Sequence, residues 1–301
     1  MSIFSKIIKR FIYPQHLYRV IQLQRNRKKV QRVYDDAQLK LYSQLLPKDF
    51  LHYGYFQNPD IHPHDISINH LYQAQEDYGW QIVNLVTDVE NPVLDIGCGM
   101  GGLIALLETK NIKTIALTPD KNQVKHIAQK YKGTPVLDCR FEDMPTANYQ
   151  NYFGTVITSE SLQYLQLDKA LPIVQQILKP GGKWVACDYF KKGEVGEKSG
   201  HNWELFNQKL KANGFKITYH RDITANVLPT IAYVYMWANQ IGMPVKHFIL
   251  GKLEVKAPGI HYALEEALPE IQQKIDKNID TINPEIFAAN KQYVLMVIER
   301  E

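Results

Sequence analysis

The chain has 301 residues, 45% hydrophobic and 22% charged, with a formal net charge of +4. That is an ordinary globular composition, large enough for one big domain with an insertion or for two small ones. Apolar runs stop short of the ~20 residues that cross a bilayer. Cys98, Cys139 and Cys187 lie apart in apolar segments without metal or redox spacing, and the N-terminus lacks a secretory pattern, so the chain reads as cytoplasmic.

The charge is unevenly placed. Residues 1–34 hold nine basic residues and no acid, leaving 26 basic and 31 acidic residues, a net of −5, in the remainder. This charge argues against a nucleic-acid groove built into the main domain, and any polyanion contact belongs to the arm. Ile3, Phe4, Ile7, Ile8 and Phe11 recur at helical spacing with Lys6, Lys9 and Arg10 between them. This pattern fits first an amphipathic helix packed on its own domain, and second a helix lying on anionic lipid. Pro14 stops it, and residues 17–46 are expected to continue as helix to Pro47, making 1–48 a basic helical arm.

The stretch LHYGYF, Leu51–Phe56, places aromatic residues around a glycine before the main domain. His52, His62, His64 and His70 fall close together but lack the spacing of a metal site, so a polar loop is expected there and no metal. Ser67 caps a predicted helix over 68–86.

Val93-Leu94-Asp95-Ile96 then reads as a buried parallel strand, and Gly97, Gly99, Gly101 and Gly102 as a tight turn into a helix N-terminus. Gly97, Gly99 and Gly102 also satisfy the dinucleotide fingerprint, so a ligand must be chosen. Asp95 would repel a pyrophosphate and attract an ammonium or sulfonium. The acid a dinucleotide needs about 20 residues on is missing, with Ala116 and Leu117 in its place and Asp120 just beyond.

Further on, strands are expected at 112–117, 134–138, 153–159, 183–189, 215–219 and 293–298, with helices over 120–131, 167–178 and 201–213. The alternation predicts an α/β fold, a doubly wound, mostly parallel, seven-stranded Rossmann-like sheet with ligands beyond the carboxyl ends of its strands. About sixty residues rich in Tyr, Trp, Met and Leu precede the last strand, too many for a plain loop. They are expected to form a helical cap, 227–288, over a domain made of 49–226 and 289–301.

With these motifs in view, LDIGCGMGG resembles the first motif of class I S-adenosylmethionine (SAM) dependent methyltransferases. FEDMP after the third strand, TSES after the fourth and KPGG before the fifth are similar to that family's loops, and YDDAQLKLYSQLL with LHYGYF resembles the tocopherol and cyclopropane-fatty-acid type. The resemblance implies SAM as cofactor, held by Asp95, Gly97, Cys98, Gly99, Gly101, Thr118, Asp120, Phe141, Glu142, Thr158 and Gln75. It implies Glu160 as base or charge stabiliser, with Tyr53 and Tyr55 shaping the pocket. Gln163-Tyr164 stands where cyclopropane-type relatives carry Glu-His, so that particular chemistry is weakened. The expected activity is methyl transfer to a small or lipid-like molecule, with residues 1–34 as a peripheral membrane contact. An RNA or protein methyltransferase and a non-catalytic SAM-binding or membrane-interaction protein stand as alternatives.

Overall fold

The computed structural model describes residues 12–27, 48–193 and 200–301. It divides into two compact units, 1–44 and 45–301. In the first, helix α1 (Pro14–Arg27) opens on a proline, whose missing N–H costs nothing at that position. The helical readings of 1–11 and 28–46 lie outside the described residues.

The second unit begins with α2 (Ile68–Val83), whose N-terminus is closed by a reciprocal cap: the Ser67 side chain accepts from the His70 amide while His70 bonds back to the Ser67 amide. Then follow β1 (Val93–Ile96), α3 (Gly102–Thr109), β2 (Thr114–Leu117), α4 (Lys121–Lys130), β3 (Val136–Leu137), β4 (Phe153–Ser159), α5 (Leu167–Ile177) and β5 (Leu178–Lys191). The chain continues through β6 (His201–Asn202), α6 (Trp203–Ala212) and β7 (Phe215–Asp222), and ends on β8 (Lys291–Arg300). The sheet runs β3-β2-β1-β4-β5-β8-β7, with the short β6 beside β5. β1 to β5 are parallel, while β8 runs antiparallel between β5 and β7. This puts the carboxyl ends of β1, β2 and β4 along one edge, and the glycine turn and Glu160 with them.

Period-two alternation sorts the strands' side chains onto two faces. Trp184, Ala186 and Phe190 of β5 join Phe206, Phe215, Leu171 and Val174 on the side of α5 and α6. Val185 and Cys187 face the other side, against Tyr78 and Ile82 of α2 and Leu107 of α3. Fully burying each such side chain contributes about 1.5–3 kcal/mol, so both faces are covered by helices that cannot be removed singly.

KPGG behaves differently from expectation. Rather than preceding the fifth strand it lies within β5: Phe153 pairs with Leu178 and Thr155 with Lys183, so Lys179 to Gly182 bulge out of the ladder, with Gly181 at φ +76°. Between β7 and β8 the chain is helical: α7 (Thr224–Trp237), a π-helical turn over Ala238–Gly242, α8 (Met243–Lys256), α9 (Pro258–Leu264), α10 (Leu268–Thr281) and α11 (Pro284–Asn290). Pro244 has no N–H to donate back along the helix, which accounts for the widened turn before it. Asn283 caps α11 through the amides of Glu285 and Ile286.

The insertion is not uniform. α7 buries Val227, Thr230 and Ile231, and α11 buries Phe287, in the same cluster as Tyr293 and Leu295 of β8. α8 and α10 bury none of their residues.

Candidate functional site

The glycine turn caps the ends of β1 and β2. Gly97 and Cys98 both donate to the Leu117 carbonyl, at 2.8 and 3.3 Å, and the Ser161 hydroxyl donates to Ile96 O at 2.5 Å. Gly97, Gly99 and Gly101 have φ of +74, +55 and +95°, where only glycine is unstrained. Packing adds to this: a Cβ on Gly97 would meet the Ser161 Cβ at 2.5 Å and one on Gly101 the Tyr131 ring at 2.6 Å. At Gly99 the nearest atom is Leu51 Cδ1 at 3.4 Å, so the turn stays open to a ligand there.

Asp95 is the informative residue. It is 1% exposed, its Oδ2 is buried without a partner, and burial pushes its carboxyl up to about 7. Asp120, three residues past the end of the neighbouring strand, caps α4 through the amides of Asn122 and Gln123, at 2.8 and 3.1 Å, and its Oδ2 is likewise buried without a partner. Buried acceptors are normally satisfied. Two orphaned carboxylate oxygens at adjacent strand ends, beside a turn open at Gly99, fit a ligand that brings donors and positive charge.

Other expected residues have protein partners already. The Thr118 hydroxyl donates to Gln123 Oε1 at 2.6 Å, which makes Gln123, absent from the sequence reading, part of the same corner. The Cys98 side chain packs with Ile104, Ala116 and Ile127, and Phe141 lies in the main core. Thr158 was expected to face the methyl donor; it is fully buried and accepts from the Trp184 indole at 3.0 Å, which assigns its side chain to the core. Glu142 accepts from the Gln166 amide at 2.9 Å and lies 3.4 Å from Arg140 Nη2.

At the end of β4, Glu160 has φ +50°, a strained conformation for an acid. Its Oε1 accepts from the Tyr293 hydroxyl at 2.6 Å and from the Tyr53 amide at 2.9 Å. Burial pushes its carboxyl up to about 7, against the lowering effect of those two donors. Behind Tyr293 stands Tyr78, hydroxyl to hydroxyl at 2.8 Å. Asp188, within β5, is fully buried; it accepts from the amides of Gln163 and Tyr189, at 3.0 and 2.8 Å. Burial, with Glu160 adding to it, raises Asp188 to about 8. The sequence reading missed Asp188, Tyr78 and Tyr293.

The segment Leu51–Phe56 is threaded between α2 and α7. Gln75 Nε2 donates to His52 O at 2.8 Å, the Tyr55 amide to Ala74 O at 2.7 Å, the Gly54 amide to the Thr230 hydroxyl at 3.0 Å and the Phe56 amide to Asn226 O at 2.9 Å. Gln75 therefore holds this segment. Tyr53 reaches Glu160 and packs edge-on to Tyr293 and Phe287, whereas Tyr55 lies under Arg221, 5.4 Å from its guanidinium. The four histidines separate: His52 stacks on Tyr78, where burial lowers it to about 4, His62 stacks on His64, and His70 serves the α2 cap. Among the described residues no three potential ligands gather for a metal.

The sheet is parallel through β5 and closes on an antiparallel last strand, and a glycine turn carrying an orphaned acid stands at its carboxyl edge. Residues 94–186 match the family described as a methyltransferase domain. The chain is 27% identical over 128 residues to the sterol 4-C-methyltransferase of Caenorhabditis elegans, covering 40% of this chain and 38% of that protein. The matches span between 38 and 57% of the curated relatives' length. Among solved structures, geranyl diphosphate C-methyltransferase from Streptomyces coelicolor, in complex with magnesium, geranyl diphosphate and S-adenosyl-L-homocysteine, aligns at a TM-score of 0.62. The identity is 14%, over 90% of this chain and all of that one. The [4+2]-cyclase SpnF aligns at 0.61 with 19% identity, over 88% and 94% of the two chains. The fold is thus shared with a protein named for other chemistry.

Proposed function

We propose that the protein is a SAM-dependent methyltransferase acting on a small, lipid-like molecule at the carboxyl edge of its sheet. The observation that carries this is the pair of buried, unpartnered oxygens of Asp95 and Asp120 beside the glycine turn. The ammonium and ribose hydroxyls of SAM are donors of the kind these oxygens lack, while the pyrophosphate of a dinucleotide would meet Asp95 as a like charge. When bound there, SAM supplies a methyl group on a sulfonium, whose positive charge disperses as the methyl leaves.

The chain's own residues supply alignment, dryness and a proton acceptor. Tyr53, held by its amide on Glu160, and the wall formed by α7 and α11 shield the site from water. Glu160, with a carboxyl near neutrality, takes the proton from the substrate's nucleophile or faces positive charge that develops on it. Tyr293 and Tyr78 fix its Oε1. Asp188, raised further still, is the second acid of the pair. Tyr55, under Arg221, serves the shape of this wall. The curated and structural relatives that act on sterols and on geranyl diphosphate support a substrate with an apolar skeleton. The basic, apolar-patterned residues 1–34 would keep the enzyme near a membrane that carries such a substrate. Within the cap, 227–288, α7 and α11 line the substrate site.

Incubation with methyl-labelled SAM and a fractionated extract tests the reading. Label is expected in the lipid or apolar small-molecule fraction. Label in RNA or protein would turn it toward a macromolecular substrate, and tight NAD binding by calorimetry would overturn the cofactor.

A further inference from the structure

The insertion before β8 carries an unexplained surface. α7, the π-helical turn and α8 follow one another without a break from 224 to 256. Along them Val234, Trp237, Ile241, Val245, Phe248 and Val255 recur at three-, four- and seven-residue intervals, each between 43 and 79% exposed. On α8 this spacing puts Val245, Phe248 and Val255 on one stripe, while Val234 and Trp237 lie on α7 across the π-helical turn, whose wider turn rotates their face relative to it. In a soluble domain an apolar stripe faces the core; this one faces out. Lys252 occupies the stripe between Phe248 and Val255, its Nζ 5.4 Å over the Phe248 ring, and Lys256 follows at the end of α8.

The charges are one-sided. Residues 224–256 contain three lysines and a single acid, Glu254, which by helical spacing falls on a different side from Phe248. The third lysine, Lys246, turns inward to within 3.7 Å of Asp276 on α10 and joins the two helices. Between them opens an apolar cleft of about 350 Å³ lined by Val245, Ile249, Leu250, Leu268, Ile271 and Ile275. Val245 belongs both to the stripe and to the cleft.

We propose that the α8 stripe is a docking surface for an anionic phospholipid membrane, with the α8–α10 cleft open to an acyl chain. Exposed aromatic and aliphatic side chains interleaved with lysine are the composition of a helix lying in a lipid interface. Apolar side chains gathered on one exposed surface mark a site of interaction rather than scattered surface residues. Anionic headgroups accept the lysines while the acyl region accepts Phe248 and Val255. The surface is distinct from residues 1–34 and does not depend on the activity proposed above.

The test is co-sedimentation of the full chain with vesicles of phosphatidylcholine, alone or with a quarter phosphatidylglycerol, at low and high salt. The wild type is expected to pellet with the anionic vesicles, more at low salt. Phe248→Glu with Val255→Glu should lower the bound fraction at least fivefold, and Lys252→Ala with Lys256→Ala should reduce its salt-sensitive part. All four side chains are exposed, so unchanged circular dichroism and melting are expected. Absence of pelleting with anionic vesicles overturns the proposal. So does undiminished binding of the Phe248/Val255 variant, which would assign attachment to another segment. A concentration-dependent dimer broken by the same substitutions overturns it in favour of a second copy.

Discussion

Glu160 and Asp188 keep their protons to about pH 7 and 8 because burial penalises the charged form. A base works only once deprotonated, so methyl transfer should rise with pH through about 7. Glu160→Gln should lower kcat by about 10²- to 10⁴-fold, the usual size of a base contribution, with SAM affinity changed less than tenfold by calorimetry. Tyr293→Phe removes a donor that holds Glu160 down, so the rising limb of the kcat profile should move to higher pH while transfer persists. Asp95 gives a separate readout. Its carboxyl near 7 is partly protonated at neutral pH, and a cationic ligand favours the charged form. SAM binding at pH 7 should therefore release protons, seen as a calorimetric heat that depends on the buffer's ionisation enthalpy. For stability the sign is opposite: carboxyls raised above their ordinary values of 3.8 to 4.5 contribute stability below about pH 4 and lose it as pH climbs through 7 to 8. Asp95 and Glu160 were legible in the sequence because each ends a strand beside a motif. Asp188 was not, since in WVACDYF it reads as one polar residue inside an apolar strand. Tyr78 and Tyr293 meet only across 215 positions of sequence.

The segment Leu51–Phe56 shows how elements place a site that no single motif encodes. Its glycine is required by contact: a Cβ on Gly54 would stand 2.6 Å from the Ala74 Cβ. Its amide is satisfied from the far side by Thr230. Thr230→Val keeps the shape and strands that buried N–H, so it should destabilise the fold by about 1–3 kcal/mol in denaturant unfolding and raise KM more than it lowers kcat. Strands β1, β2, β4 and β5 were legible as apolar runs ending in glycine or polar residues, and their parallel order followed from the alternation with helices. β6 was not, because two residues beside β5 leave no periodic trace. The bulge in β5 was hidden for a different reason: KPGG has turn chemistry, and only pairing with β4 keeps it inside a strand. The helix at 224–237 opens the expected helical cap three residues early, its Pro229 being tolerated because tertiary burial of Val227 and Ile231 outweighs intrinsic propensity.

Across the whole molecule, the insertion before β8 joins two kinds of helix under one sequence pattern. Its aromatic and aliphatic residues suggested a single cap from 227 to 288, because composition does not reveal which apolar residues face inward. α7 and α11 bury Val227, Ile231 and Phe287 against α2 and β8, and losing such side chains costs about 2–5 kcal/mol each. α8 and α10 bury none, so their removal exposes little that the folded protein had hidden. Replacing 243–281 with a glycine–serine linker long enough to rejoin the ends should leave a folded protein with SAM affinity within tenfold of the full chain. Replacing 224–290 should abolish cooperative unfolding and SAM binding together. Methyl transfer to a water-dispersed substrate should survive the first replacement, because the wall near Glu160 is kept. Transfer to the same substrate presented in anionic vesicles should fall with the loss of the α8 surface. Equal loss in both presentations would mean that α8–α10 belong to the active site itself.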